Sequence, residues 1–190
     1  MSLAGAVMAG GRASRFGADK TRLLLGGQSL AAHLLSQMAL AGLGPLALSA
    51  AEPPQDLPLG VRLVADKVAG QGPLGGLASL LDALGQPVLV AAGDMPGLEA
   101  VAFMAMRKAW TPGRGGLVAL GPDGLHPLFA IYEPSCLPAM RAALDQGRGA
   151  VHQVVQSLDL PQWLVPENAW LANVNTPKDW EAWSLKRPPL

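Results

Sequence analysis

An α/β domain built on a mostly parallel sheet, with helices covering both faces, is the fold class this sequence predicts. Three observations predict it. Short, near-continuous apolar runs alternate with segments of helical periodicity. Glycine and proline fall between these segments rather than inside them. The 190 residues are half hydrophobic and only 15% charged. Strands apolar on both sides belong to sheets buried on both faces, which are parallel sheets. The length fits one domain over residues 1–190, and no fixed-period repeat or low-complexity linker divides it.

The elements follow in order. Leu3 to Ala9 is an apolar run ending at Gly10-Gly11, a buried strand running into a loop. Gln28 to Ala41 repeats apolar residues at helical spacing and stops at Gly42. Leu46 to Ala50 and Val61 to Ala65 read as the second and third strands. Leu74 to Leu84 is a helix closed by Gly85. Pro87 to Ala92 is a fully apolar strand ending at Gly93-Asp94, and Leu98 to Trp110 is the next helix. Gly116 to Leu120 and Leu128 to Tyr132 read as strands joined by the turn Gly121-Pro122-Asp123-Gly124. Pro134 to Gln146 and Pro177 to Leu185 complete the set as helices.

Composition narrows the function. Formal net charge is zero, which points away from nucleic acid and from a membrane surface as partners. Arg12, Arg15, Lys20 and Arg22 nevertheless crowd one short stretch with only Asp19 opposing them, the pattern of a site for a small anion. The single Cys136 excludes an internal disulfide and a multi-cysteine zinc site, and reads as a buried, inert thiol. His33, His126 and His152 lack metal-ligand spacing. The N-terminal apolar run has no basic residues ahead of it and reads as a core strand rather than a signal peptide. No apolar run approaches the ~18–20 residues that span a bilayer. A soluble, cytoplasmic protein is expected.

Ligands of such folds bind at the carboxyl ends of the strands. That rule selects Gly10 to Lys20, Ser49 to Glu52, Asp66 to Gly76, and Gly93 to Gly97. In the first segment, Gly10 and Gly11 let backbone amides approach a ligand, and Arg15 and Lys20 can neutralise phosphate oxygens. Neither a Walker A string nor a dinucleotide fingerprint is present, and a surface loop of solvated arginines is the plain alternative. Asp66, with Gly70, Gly72, Gly75 and Gly76 after it, either serves a ligand or makes tight turns. Asp94 follows a buried strand and precedes Pro96, so its direction is fixed. It suits Mg²⁺, which takes one or two carboxylates besides waters and phosphates, or else it caps the next helix. Asn173 and Asn175, two apart in an extended segment, can aim their amides at one ligand, while Asn-Thr before Pro177 also makes a helix cap. A basic loop, backbone donors and a metal-ready carboxylate at the strand ends of one sheet are the parts that phosphoryl chemistry requires.

Val7-Met8-Ala9-Gly10-Gly11, then Arg15-Phe16-Gly17 and Asp19-Lys20, resemble the signature of the molybdenum cofactor guanylyltransferases, a branch of the nucleotidyltransferases. The resemblance continues through Asp66, Gly72-Pro73-Leu74-Gly75-Gly76, Gly93-Asp94-Met95-Pro96, His126-Pro127-Leu128 and Asn173-Val174-Asn175-Thr176-Pro177. It implies a Rossmann-like three-layer α/β/α sandwich. It also implies transfer of GMP from GTP to the terminal phosphate of molybdopterin or the molybdenum cofactor, with release of pyrophosphate. On that likeness Met8, Ala9, Gly10, Gly11, Lys20, Asp66 and Asp94 serve the nucleotide. Arg15, Gly72, Gly76, Asn173 and Asn175 serve the acceptor. Lys20, Arg15 and Asp94 carry the reaction, and Asp94 holds Mg²⁺. Other cofactor-biosynthesis proteins or apo-molybdoenzymes are further partners it suggests.

The chain departs from the pattern at three places. Met8 and Phe16 replace Leu and Met. Ser49-Ala50-Ala51-Glu52 lacks the usual Asn. His126 stands where Gln is frequent. The competing readings are a CTP-using sister branch, which reads Leu-Ala-Ala-Gly where this chain has Gly10, a sugar-phosphate nucleotidyltransferase, and a nucleotide-binding regulatory subunit without catalysis.

Overall fold

The computed structural model describes residues 2–9, 24–25, 27–65 and 72–186. Strands β1 (Ala4–Met8), β4 (Leu46–Ser49), β5 (Arg62–Leu63), β6 (Val88–Ala92), β7 (Gly116–Gly121), β8 (Gly124–Tyr132) and β9 (Gln162–Leu164) form one sheet in the order β5-β4-β1-β6-β8-β7-β9. A separate two-residue pair, β2 (Leu24–Leu25) and β3 (Gln28–Ser29), precedes the first helix. The helices are α1 (Leu30–Leu40), α2 (Gly72–Leu84), α3 (Ala100–Ala109), α4 (Leu137–Asp145), α5 (Val151–Ser157) and α6 (Pro177–Lys186). Three-residue and four-residue 3₁₀ turns cover Pro134–Cys136 and Asn168–Leu171.

Alternation along the central strands splits the core in two, as period-two side chains must. Ala4, Ala6 and Met8 of β1, with Val88 and Val90 of β6 and Ala130 and Tyr132 of β8, face one layer. There they meet Leu74, Leu77 and Leu81 of α2, Met140 of α4 and Val154 and Val155 of α5. Val7, Leu89, Ala91, Phe129 and Ile131 face the other layer, against Leu34, Leu35 and Met38 of α1 and Phe103 and Met106 of α3. The Trp180 and Trp183 rings of α6 pack on that same side. Gly5 continues this alternation. A β carbon there would stand 3.0 Å from Met38 Sδ, so the missing side chain seats α1 on the sheet. The three-layer sandwich of the sequence reading is therefore the observed fold.

β1, β4, β5 and β6 are mutually parallel, and β8 alone opposes its neighbours. The reason is the connection. Only Pro122 and Asp123 separate β7 from β8, and a two-residue link joins antiparallel strands only. β8 begins at Gly124, four residues before the expected start at Leu128. Pro127 explains the difference. The β7–β8 register jumps from Val118↔Ala130 to Ala119↔His126, and the bulged residues include the proline, which has no N–H for the ladder. The Tyr132 hydroxyl donates to the Pro127 carbonyl at 2.7 Å, and burial pushes that phenol far above its ordinary pKa, so it stays a donor.

α5 and β9 are elements the sequence reading did not assign. α5 is seven residues long, with Val151, Val154 and Val155 buried. β9 is a three-residue edge strand in which Trp163 is half-buried. Among the described residues, no helix is long and apolar enough to cross a membrane.

Candidate functional site

Four strand ends, those of β1, β4, β5 and β6, meet on one edge of the sheet. The ladder runs past the strands themselves. Ala9 N–H donates to the Ser49 carbonyl at 2.8 Å, Val64 N–H to Leu48 at 2.9 Å, and Gly93 N–H to Met8 at 2.9 Å. A β carbon on Gly93 would stand 3.2 Å from both Cα and Cβ of Ala9, so glycine lets the ends of β1 and β6 lie flush. Ala9 is exposed at this edge, whereas the Met8 side chain is in the core. The chain leaves β1 at Ala9, so the basic segment is joined to the sheet immediately beside Gly93-Asp94.

Asp94 is half-buried. The residues after it, Met95 at 2% exposure and Leu98 at 0%, anchor its loop in the core. The Asp94 carbonyl accepts Val174 N–H at 2.8 Å, which brings the C-terminal segment to the same edge. Val174 is buried, while Asn173 and Asn175 on either side of it are exposed. Both asparagines thus leave the backbone on the side away from the core, as residues two apart in extended chain do. The helix cap expected of the Asn-Thr pair before Pro177 forms here through Thr176, together with Asp179. Asp179 accepts from the backbone N–H of Asn175 at 3.0 Å and of Thr176 at 2.8 Å, and Thr176 Oγ1 accepts Asp179 N–H at 3.2 Å. These bonds, the Asn175 amide first, hold the Asp179 carboxyl below its ordinary value.

Gly72, exposed, opens α2 and Gly76, buried, lies one turn further in; the helix starts at this edge because it follows parallel β5 and precedes parallel β6. Gly72 adopts φ +64°, a conformation in which a side chain would be strained, and a β carbon there would lie 3.8 Å from the Gly149 carbonyl. The loop after β4 is fastened nearby. Asp56 accepts from the backbone N–H of Ser29 at 2.6 Å and from its hydroxyl at 2.7 Å, and Ser29 caps α1. Burial opposes ionisation of Asp56, but the bonds from Ser29 outweigh it and hold the carboxyl low.

The structure thus brings together Met8, Ala9, Asp94, Asn173 and Asn175, with Gly72 and Gly76 at the start of α2. Gly10, Gly11, Arg15, Lys20 and Asp66 lie outside the described residues. The Val174 amide escaped sequence reasoning, and Gly93 was placed at the site without its packing against Ala9. The first acts through backbone and carries no residue signature. The second is a glycine whose close contact is visible only in three dimensions.

His126 sits on the N-terminal half of β8, which runs beside the end of β6 because the two are antiparallel. Its Nε2 lies 2.9 Å from Asp123 Oδ1, and that hydrogen bond lowers the Asp123 pKa. Cys136 is buried and donates to the Gly115 carbonyl at 3.0 Å, and burial raises its thiol pKa. The reading of an inert thiol agrees with that position. Among the described residues no cluster of three or more His, Cys, Asp or Glu is placed to bind a metal. The tryptophans pack rather than protrude. Trp163 and Trp170 stack with centroids 6.3 Å apart, and Trp163 meets Phe129 edge-on.

Comparison with known proteins agrees with this geometry. Residues 5–161 match the family described as MobA-like NTP transferase domain. A protein of Opitutus terrae named probable molybdenum cofactor guanylyltransferase is 34% identical over 188 residues, covering 94% of this chain and 93% of that one. The crystal structure of molybdopterin-guanine dinucleotide biosynthesis protein A from Archaeoglobus fulgidus has the same fold. Its TM-score is 0.77 at 23% identity, with 96% of each chain covered. A Mycobacterium tuberculosis protein crystallised in complex with manganese superposes with TM-score 0.66 at 18% identity over 98% of this chain and all of the other. With most of its length matched and its strand-end residues gathered on one edge, the chain belongs to the MobA-like NTP transferase family and is a nucleotidyltransferase.

Proposed function

We propose that the protein transfers GMP from GTP to the terminal phosphate of molybdopterin, or of the molybdenum cofactor, and releases pyrophosphate. An acceptor phosphate oxygen bonds to the α-phosphorus of GTP as the bond to the oxygen bridging to the β-phosphorus breaks. The acceptor phosphate is already ionised at neutral pH, so no general base and no covalent enzyme intermediate are required. The protein's contribution is alignment and charge neutralisation. The observation that carries this reading is the junction at Gly93-Asp94, where the end of β1 and the asparagine segment are both bonded to the backbone of the loop that bears the Asp94 carboxylate.

In this reading Met8 contributes through its backbone, since its side chain is in the core, and Ala9, Gly10 and Gly11 let the nucleotide approach the main chain. Lys20 and Arg15 neutralise phosphate oxygens, and Asp66 completes the GTP side. Gly72, Gly76, Asn173 and Asn175 receive the acceptor. The donor set fits Mg²⁺. Asp94 is one half-buried carboxylate at a strand end, and magnesium needs only one or two such ligands when phosphates and waters supply the rest. Bound at Asp94, Mg²⁺ would act as a Lewis acid on phosphate oxygens. The manganese complex of the mycobacterial protein supports a divalent ion for this fold. The names of the Opitutus and Archaeoglobus proteins support the acceptor. A cytoplasmic location, and hand-over of product to other cofactor-biosynthesis proteins or apo-molybdoenzymes, accompany the reading.

Gly10, smaller than the alanine of the cytidylyl branch, favours the purine. The test is the initial rate of pyrophosphate release by the purified protein with Mg²⁺, molybdopterin and either GTP or CTP. GTP is expected to be faster by about tenfold or more. A preference for CTP would overturn the guanylyl assignment. Nucleotide binding without pyrophosphate release would mark a regulator instead.

A further inference from the structure

The 3₁₀ turn Asn168–Leu171 is pressed between two glycines that the reaction as described above does not use. At one end lies Gly97, in the loop after β6. A β carbon on Gly97 would overlap the Ala169 carbonyl oxygen and stand 3.1 Å from Ala169 C and 3.3 Å from Trp170 Cα. All three obstacles are backbone atoms, so no rotamer change relieves them. At the other end lies Gly121, the last residue of β7. A β carbon there would overlap a methyl of Leu171 and lie 2.8 Å from His126 Nε2 and 3.1 Å from Asp123 Oδ1. Leu171 is itself buried. Behind the turn, Trp170 stacks on Trp163.

The Gly97 side of this contact is rigid. Met95 and Leu98 are buried in the core, and Gly93 N–H is bonded to β1. A β carbon on Gly97 would press on the turn, whose Ala169 and Trp170 backbone it meets. Three residues past its end, Val174 donates its N–H to Asp94, between Asn173 and Asn175. The seat on Gly97 therefore sets how the asparagine segment stands relative to the carboxylate.

We infer that Gly97 is a positioning residue. Its missing β carbon lets the Asn168–Leu171 turn rest on the Asp94 loop, and this fixes the spacing between Asp94 and the Asn173/Asn175 pair and aligns the acceptor with the nucleotide. The inference rests on the guanylyl-transfer reading and adds the residue that sets its geometry. A methyl at position 97 moves the turn, because neither backbone can share the space. Displacement of reacting groups by ~1 Å is enough to cost about 100-fold in rate.

The experiment is Gly97→Ala with three readouts. The kcat/KM for molybdopterin is expected to fall about 100-fold, with KM raised and kcat lowered together. The Kd for GTP with Mg²⁺ and no acceptor is expected to stay within about threefold, because Ala9 and Asp94 keep their places on the sheet. Amide exchange at Val174 is expected to quicken about tenfold or more as its bond to Asp94 loosens. Unchanged acceptor kinetics in the folded variant would overturn the inference. So would an equal loss of GTP affinity, which would make the role one of general stability.

Gly121→Ala is the milder companion, since it meets only side-chain ends, and it remains available if Gly97→Ala does not fold. The same pattern about fivefold in size is expected of it, and acceptor kinetics and Val174 exchange both at wild-type values would sink the idea. A wild-type chain that transfers no GMP would overturn the functional reading alone, and faster Val174 exchange in Gly97→Ala would still support the link from the turn to Asp94.

Discussion

Asp94→Asn is expected to lower GMP transfer by about 10³-fold while leaving the fold in place. The size follows from the role proposed for the carboxylate. Removing one preorganised charge interaction from a reacting phosphate costs ~3–4 kcal/mol of transition-state stabilisation, and each 1.4 kcal/mol is about tenfold in rate. The fold is expected to survive because the substitution is isosteric and the bond that ties the C-terminal segment to this loop is made by the backbone. The Asp94 carbonyl, not the carboxylate, receives Val174 N–H, and the neighbouring Met95 and Leu98 hold the loop in the core. Two measurements check it, single-turnover rates at saturating GTP and the thermal midpoint. A third sharpens it. GTP affinity of the wild type is expected to rise when Mg²⁺ replaces EDTA, and that difference is expected to vanish in the variant. Wild-type transfer by Asp94→Asn would remove the carboxylate from the reaction.

How much of this was legible beforehand depends on the kind of force involved. β1, β4 and β6 were legible because a strand covered on both faces needs apolar residues at every position, and their ends then located Asp94 without any motif. α5 has its valines at 151, 154 and 155, but seven residues give too few repeats to distinguish one helical turn from chance. β9 offers three residues, of which Trp163 alone faces the core, so its assignment comes from pairing with β7. Pro127 lies inside β8. Proline does exclude a regular ladder, and the chain keeps both proline and strand by bulging at that point. At the site, side chains with chemistry were legible and backbone geometry was not. Asp94, Asn173 and Asn175 stood out as residue types, whereas the Val174 amide and the close approach at Gly93 exist only once the strands are aligned.

The largest loss of stability is expected from Glu133→Ala, at the end of β8 away from the site. Glu133 is 8% exposed, yet its carboxylate is fully engaged. Oε1 accepts the Trp110 indole N–H at 3.0 Å and the Gly113 N–H at 2.9 Å, and Oε2 accepts the Gly115 N–H at 3.2 Å. The α3–β7 turn can aim these amides inward because Gly113 and Gly115 adopt φ of +84° and +80°. Alanine would leave three donors without the acceptor around which the turn is built. An orphaned buried donor costs about 1–3 kcal/mol, and partial entry of water should hold the total near 3 kcal/mol. For a chain of this length that corresponds to a midpoint lower by about 6–12 °C. Glu133→Gln is expected to lose about half as much, since its oxygen still serves two donors while its NH₂ confronts Gly115 N–H. Thermal and urea unfolding check both variants. Because Tyr132 pairs with Val88 at the start of β6, Glu133 lies at the opposite edge from Asp94, and the acceptor KM of folded Glu133→Ala is expected to be unchanged. A midpoint within 2 °C of wild type, an order-of-magnitude margin on these energies, would mean the turn finds other acceptors.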